Sequence, residues 1–67
     1  MDPKALGKKI KLARIEADMT QIDFAKKIGS LQKNVSWYEN GAVVPSLETM
    51  EKIANVLNKT VDHFLKK

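Results

Sequence analysis

Gln32, Lys33, Asn34 and Trp37 crowd long polar side chains and an aromatic ring into one short stretch. The Gln and Asn amides each set a donor beside an acceptor, which fits the edge of adenine bidentately. A lysine ammonium reaches the acceptors of guanine, and an indole packs against a thymine methyl or a sugar. The same residue types are common on a solvated helix face, and Trp37 could instead cover the edge of a core. Two flanking groups suit phosphate oxygens rather than bases. Gln21 would place its amide beside the free N–H groups of a helix start, and Asn40 with the backbone near Gly41 could make a second phosphate clamp. Asn40 could equally serve only to end its helix. Arg14 and Glu39 have matching fork and carboxylate geometry. By residue type alone, surface exposure of both is the base expectation.

Other chemistry has little support. His63 has no evident partner and reads as a surface residue. No acid, base and nucleophile converge on rigid elements, so no enzyme is expected. Gly7, Gly29 and Gly41 lack the spacing of a phosphate loop. There is no cysteine, and one histidine with scattered carboxylates makes no metal cluster, so neither metal nor cofactor is expected.

The elements that position these groups follow from caps and periodicity. Asp2-Pro3 opens a first helix whose Leu6, Ile10, Ala13 and Ala17 recur on one face, ending near Asp18. Thr20 caps a second helix with Phe24, Ala25 and Ile28 inward, closed by Gly29. Ser30 is the expected cap of a third helix running to Tyr38 or Asn40, with Val35 and Tyr38 inward. Gln32, Lys33, Asn34 and Trp37 then look outward, and Gly41 stops the helix. Ser46 caps a fourth helix, with Leu47, Met50, Ile53, Ala54 and Leu57 as its buried stripe and Asn58 at its end. Thr60 caps a last short helix carrying Val61, Phe64 and Leu65. Thr20 to Gly41 is thus two short helices and a tight turn, the layout of a helix-turn-helix, whose second helix can enter the major groove.

The chain has 67 residues and a formal charge of +4, from 12 basic against 8 acidic side chains. At that length a core is marginal, so stability must come from well-packed helices. The positive charge favours an anionic partner, and Lys4, Lys8, Lys9, Lys11 and Arg14 gather in the first helix. The apolar runs are too short for a signal peptide or a membrane span, which leads to the expectation of a cytoplasmic protein, bacterial or phage-encoded, with no membrane partner.

Taken together, LGKKI at 6–10, Arg14, TQIDFAKKIG at 20–29, VSWYENG at 35–41, PSLETMEKIANVL at 45–57 and TVDHFL at 60–65 form a specific pattern. The chain resembles the Cro/C1-type (XRE-type) helix-turn-helix family of phage and bacterial repressors. The resemblance runs from Leu6 through Leu65. It implies an all-α, compact five-helix, lambda-repressor-like domain over residues 1–67, with the helix-turn-helix at about 20–40. It also implies base contacts at Gln32, Lys33 and Trp37, with Asn34 nearby. Phosphate contacts fall on Gln21 and on a loop at Asn40, Gly41 and Ala42, and a structural ion pair falls on Arg14 and Glu39. The chain departs from the family pattern in its bulky Trp37, in its uncharged Ala42-Val43-Val44 loop, and in Leu12 and Ile15, which are apolar where the first helix is usually polar.

The resulting expectation is a sequence-specific binder of double-stranded DNA: a transcriptional regulator and repressor, dimeric on a palindromic operator. The dimer contact would include the last helix, with Val61, Phe64 and Leu65 shared between core and partner. A protein regulator is a further expected partner. The alternative is a protein-interaction module, such as an antitoxin-like or antirepressor partner, with Trp37, Leu12 and Ile15 in a protein interface.

Overall fold

The computed structural model describes residues 2–66; Met1 and Lys67, the ends of the expected 1–67 span, lie outside the described residues. It contains α1 (Pro3–Glu16), α2 (Gln21–Lys27), α3 (Gln32–Glu39), α4 (Leu47–Val56) and α5 (Val61–Leu65), with no strand among the described residues. Four helices begin with a side-chain cap at the expected residue. Asp2, Thr20, Ser46 and Thr60 accept from the backbone N–H of Lys4, Asp23, Thr49 and His63 at 3.0–3.2 Å. Each such bond satisfies one of the donors that a helix start leaves without an intrahelical acceptor.

The helix ends share one device. Asp18, Gly29, Gly41 and Asn58 take positive φ of 58°, 69°, 81° and 58°. The N–H of the residue after each reaches back to a carbonyl of the last turn: Met19 to Arg14, Ser30 to Ala25, Ala42 to Trp37 and Lys59 to Ala54. This closure satisfies orphan carbonyls and turns the chain out of each helix. It lets four connections fold 67 residues around one core.

That core is Leu6, Ile10 and Ala13 from α1, Phe24, Ala25 and Ile28 from α2 and its end, and Val35 from α3. Met50, Ile53, Ala54 and Leu57 join from α4 and its end, with Phe64 from α5. Tyr38, Met19, Val56 and Val61 pack on it while partly exposed. Three expected core positions differ. Ala17 caps the end of α1 and is exposed. Leu47 lies a turn before Met50, past the edge of the core, and is 67% exposed. Leu65 follows the deeply buried Phe64 onto the outer side of α5.

Two contacts fix α1 on α3. Gly7 faces the C-terminal end of α3 so closely that a Cβ would lie 2.4 Å from the Glu39 carbonyl oxygen and 2.5 Å from that of Tyr38. Only glycine allows this approach, because both obstacles are backbone. Two turns further along α1, Arg14 braces the same two helices. Its Nε donates to Glu39 Oε2 at 2.6 Å, its Nη2 to Oε1 at 3.1 Å, and its Nη1 to the Met19 carbonyl at 2.7 Å. Both side chains are buried.

Substituting Gly7→Ala is therefore expected to destabilise the fold by about 1–3 kcal/mol, the usual cost of overpacking. Asp18→Gly, which relieves a side chain of positive φ, is expected to raise stability by up to ~1 kcal/mol. Urea denaturation followed by circular dichroism measures both. Arg14→Met leaves the Glu39 carboxylate buried without its charge partner and is expected to cost about 3–5 kcal/mol. Replacing both residues, Arg14→Met with Glu39→Leu, should recover part of that loss. If the double variant were less stable than Arg14→Met alone, the unpaired charge would not be the source of the cost.

Candidate nucleic-acid interface

Helix α3 sits across the molecule with Val35 and Glu39 inward and Tyr38 on the core edge. Its other side belongs to Gln32, Lys33 and Trp37, all exposed. The Lys33 ammonium lies 5.7 Å from the centre of the Trp37 ring, and the indole is 42% exposed. One turn apart on a helix, the two side chains are natural neighbours. The half-exposed Ser36 stands one turn from both Gln32 and Lys33, within the same face. The sequence reading passed over it, since a serine between a core valine and a tryptophan carries no signal of its own. Its position on the outward wheel was the available clue.

The start of α3 differs from expectation. Leu31, not Ser30, occupies the cap position, and no side chain caps the first turn. The Ser30 hydroxyl instead accepts from the Asn34 amide nitrogen at 2.8 Å. Asn34 is thereby half-buried and turned back toward the interhelical turn, not outward with Gln32 and Lys33. The exposed Gln32 and Lys33 begin a helix whose N-terminal N–H groups lack a side-chain acceptor, an arrangement that favours anions.

The structure gives Gln21 a partner the sequence did not suggest. Its Nε2 donates to Glu39 Oε1 at 3.0 Å, so Glu39 is held by Arg14 and Gln21 together. A second amide hydrogen remains on Gln21, which is half-exposed at the N-terminus of α2. At the other end of α3 lie the residues of the expected backbone clamp. The Gly41 N–H donates to the Tyr38 carbonyl, and the Ala42 N–H to both the Trp37 carbonyl and Asn40 Oδ1. Both donors therefore have acceptors within the chain. Exposed Asn40, with its amide nitrogen, is the polar group left there.

Charge is distributed unevenly around this face. Lys26 and Lys27 end α2, Lys33 lies on α3, and the loop Ala42-Val43-Val44 is uncharged and exposed. Among the described residues no group of histidine, cysteine or carboxylate side chains could hold a metal ion. No helix is long and apolar enough to cross a membrane. Leu12 and Ile15 are exposed on α1, at 61% and 50%. Phe64, expected to be shared with a partner, is 1% exposed and belongs to the core; on α5 the exposed apolar side chain is Leu65.

A family model described as helix-turn-helix matches residues 10–64. The HTH-type transcriptional regulator ImmR of Bacillus subtilis is 36% identical over 63 residues, which cover 94% of this chain and 50% of ImmR. The ImmF control region 10 kDa protein of Bacillus phage phi105 is 38% identical over 58 residues, covering 87% of this chain and 64% of that protein. Among solved structures, Bacillus thuringiensis PlcR in complex with the peptide PapR7 and DNA aligns with a TM-score of 0.84 at 36% identity, covering 91% of this chain and 21% of PlcR. The chain thus spans about half the length of ImmR and under two thirds of the phage protein. The buried scaffold, the paired short helices and the match over residues 10–64 agree: the chain belongs to the Cro/C1-type (XRE-type) helix-turn-helix family of transcriptional regulators.

Proposed function

We propose that this chain binds double-stranded DNA sequence-specifically through α3 and represses transcription as a dimer on a palindromic operator. The observation that carries the reading is the division of α3 into two faces. Val35 and Glu39 lock one face to the core, while Gln32, Lys33, Ser36 and Trp37 stand free on the other. A helix so held presents its polar face rigidly to the major groove, where donor and acceptor patterns distinguish all four base pairs. Gln32 and Lys33, at the N-terminal end that enters deepest, read bases; Trp37 lies against a thymine methyl or sugar. Gln21, through its remaining amide hydrogen, and Asn40 grip phosphates on either side. Asn34 supports the turn. PlcR, a relative at 36% identity, has been solved with DNA, which supports the same partner here.

One such module has little interface, so two copies multiply both affinity and specificity. With dimensions of 27 × 23 × 21 Å, two molecules side by side can set their α3 helices about one DNA turn, ~34 Å, apart. The last helix offers a contact through Leu65, beside a groove of about 300 Å³ lined by Ala5, Leu6 and Phe64. Repression follows where the bound dimer covers a promoter.

Selection from a random duplex library at about 0.15 M salt, with sequencing of the bound pool, tests this reading; operator affinities at that salt are typically ~10⁻⁸ M or tighter. The expected product is an inverted repeat with half-sites one helical turn apart. Gln32→Ala should then relax preference at one defined base pair per half-site by about 1–3 kcal/mol, with little change in the salt dependence. A folded protein that enriches no motif would remove the claim of autonomous operator binding. A reporter carrying the selected site across its promoter should fall in output; a rise would make the chain an activator.

A further inference from the structure

We infer that Trp37 is a positioning residue for Lys33: the indole face holds the ammonium over the groove, so that the lysine reads a guanine and not a phosphate. The inference rests on the proposed DNA reading of α3 and adds what base class Lys33 selects and why. The observation is the stacked pair itself, with the ammonium 5.7 Å from the ring centre on the exposed face of α3. Lys33 forms no salt bridge with an acidic side chain among the described residues. The ring's negative face is therefore the partner the structure gives the ammonium.

The consequence follows from what a free lysine does. Half or more of protein–DNA hydrogen bonds go to phosphate and sugar, and a flexible ammonium beside the duplex is drawn to the nearest phosphate. Such a contact strengthens binding to every sequence alike. A cation held against an aromatic face keeps a defined position one turn along the helix. From there it meets the guanine O6 and N7 acceptors, which a lysine can bridge. The indole holds the cation most strongly when docking expels water, so the restraint tightens in the complex. Trp37 brings no charge of its own, which suits a residue that sharpens a choice rather than adding to affinity.

The pair also supplies its own reporter, because Trp37 is the sole tryptophan in the chain. In the free protein, Lys33→Gln should change the emission of Trp37, whereas Lys26→Gln on α2 should not. On the selected duplex, binding is measured for the wild type, Lys33→Gln, Trp37→Phe, Trp37→Leu and the double variant Lys33→Gln with Trp37→Leu, each against all four base pairs at every position. The expected result is a G·C preference at one pair, lost in Lys33→Gln. Trp37→Leu should lower it by about 2–5-fold at that same pair, the range an exposed cation–π contact supports. Trp37→Phe should retain most of the preference. The double variant should be no worse at that pair than Lys33→Gln alone.

Additive effects, or a Trp37→Leu loss that leaves the Lys33-dependent pair unchanged or is spread equally over all sequences, would overturn the positioning role while leaving operator recognition intact. A preference for A·T at the Lys33-dependent pair would overturn the assignment of guanine. A wild type with no preference at any pair would sink the DNA reading and this inference with it. Since Trp37 is 42% exposed, both substitutions are expected to fold, and the Phe variant keeps the test sound if the Leu variant does not.

Discussion

The close meeting of α1 with the C-terminal end of α3 is the constraint on which the rest of the molecule depends. Gly7 allows backbone to touch backbone, since any Cβ would collide with the carbonyls of Tyr38 and Glu39. Two turns further along α1, Arg14 grips Glu39 with two nitrogens and the Met19 carbonyl with a third. One contact sets the distance between the helices and the other their relative slide. The Met19 bond ties the same guanidinium to the connection into α2. A single side chain therefore holds the end of α1, the approach to α2 and the last turn of α3 in register. The outward face of α3 inherits that rigidity.

A chain of this length cannot rely on burial alone, and its helix ends show how it compensates. Seven to fourteen residues per helix, and five in α5, are too few for a stable isolated helix in water. Each helix forms because capping, chain reversal and burial act together. Aspartate and asparagine, at Asp18 and Asn58, hold the same left-handed position that glycine holds at Gly29 and Gly41. These two bear a conformational cost that glycine avoids, and in return they restrict the unfolded chain more than glycine does. The exception is the start of α3, where Leu31 stands in the cap position without a cap bond. That the helix start facing outward should be the one without an internal acceptor is consistent with a partner that supplies one.

Much of this architecture was legible in the sequence because it rests on local rules. Asp2-Pro3, Thr20, Ser46 and Thr60 mark helix starts through bonds spanning two or three residues, and Asp18, Gly29, Gly41 and Asn58 mark ends through the backbone of one. Periodicity identified Ile10, Phe24, Val35 and Ile53 as interior. It misplaced Ala17 and Leu47, because a stripe read along a helix does not reveal where the neighbouring helices stop. Ser30 misled for a related reason: serine is a good cap in general, but here its hydroxyl is engaged by Asn34 across the turn. The Gln21–Glu39 bond and the approach at Gly7 join residues far apart in the chain, and no local rule encodes either. The Arg14–Glu39 pair was an open question by residue type and became an expectation only through the family resemblance.

Glu39 raises a question for the proposed DNA reading, since a carboxylate on a helix that approached a polyanion would weaken binding. The geometry answers it. Glu39 is buried, its two oxygens are occupied by Arg14 and Gln21, and the guanidinium cancels its charge within bonding distance. A compact, paired charge has a short reach, whereas the cations of Lys26, Lys27 and Lys33 are exposed and act at long range. The pair therefore adds little to the outward field and much to the angle of α3. Stability need not be its main contribution, because burying two charges offsets most of their attraction. An apolar pair of similar size could hold the helices together, but it would not present three directed hydrogen bonds at fixed angles. Directionality is what the proposed reading role of α3 would require, since a shift of about an ångström would move Gln32 and Lys33 out of bonding range of a base edge.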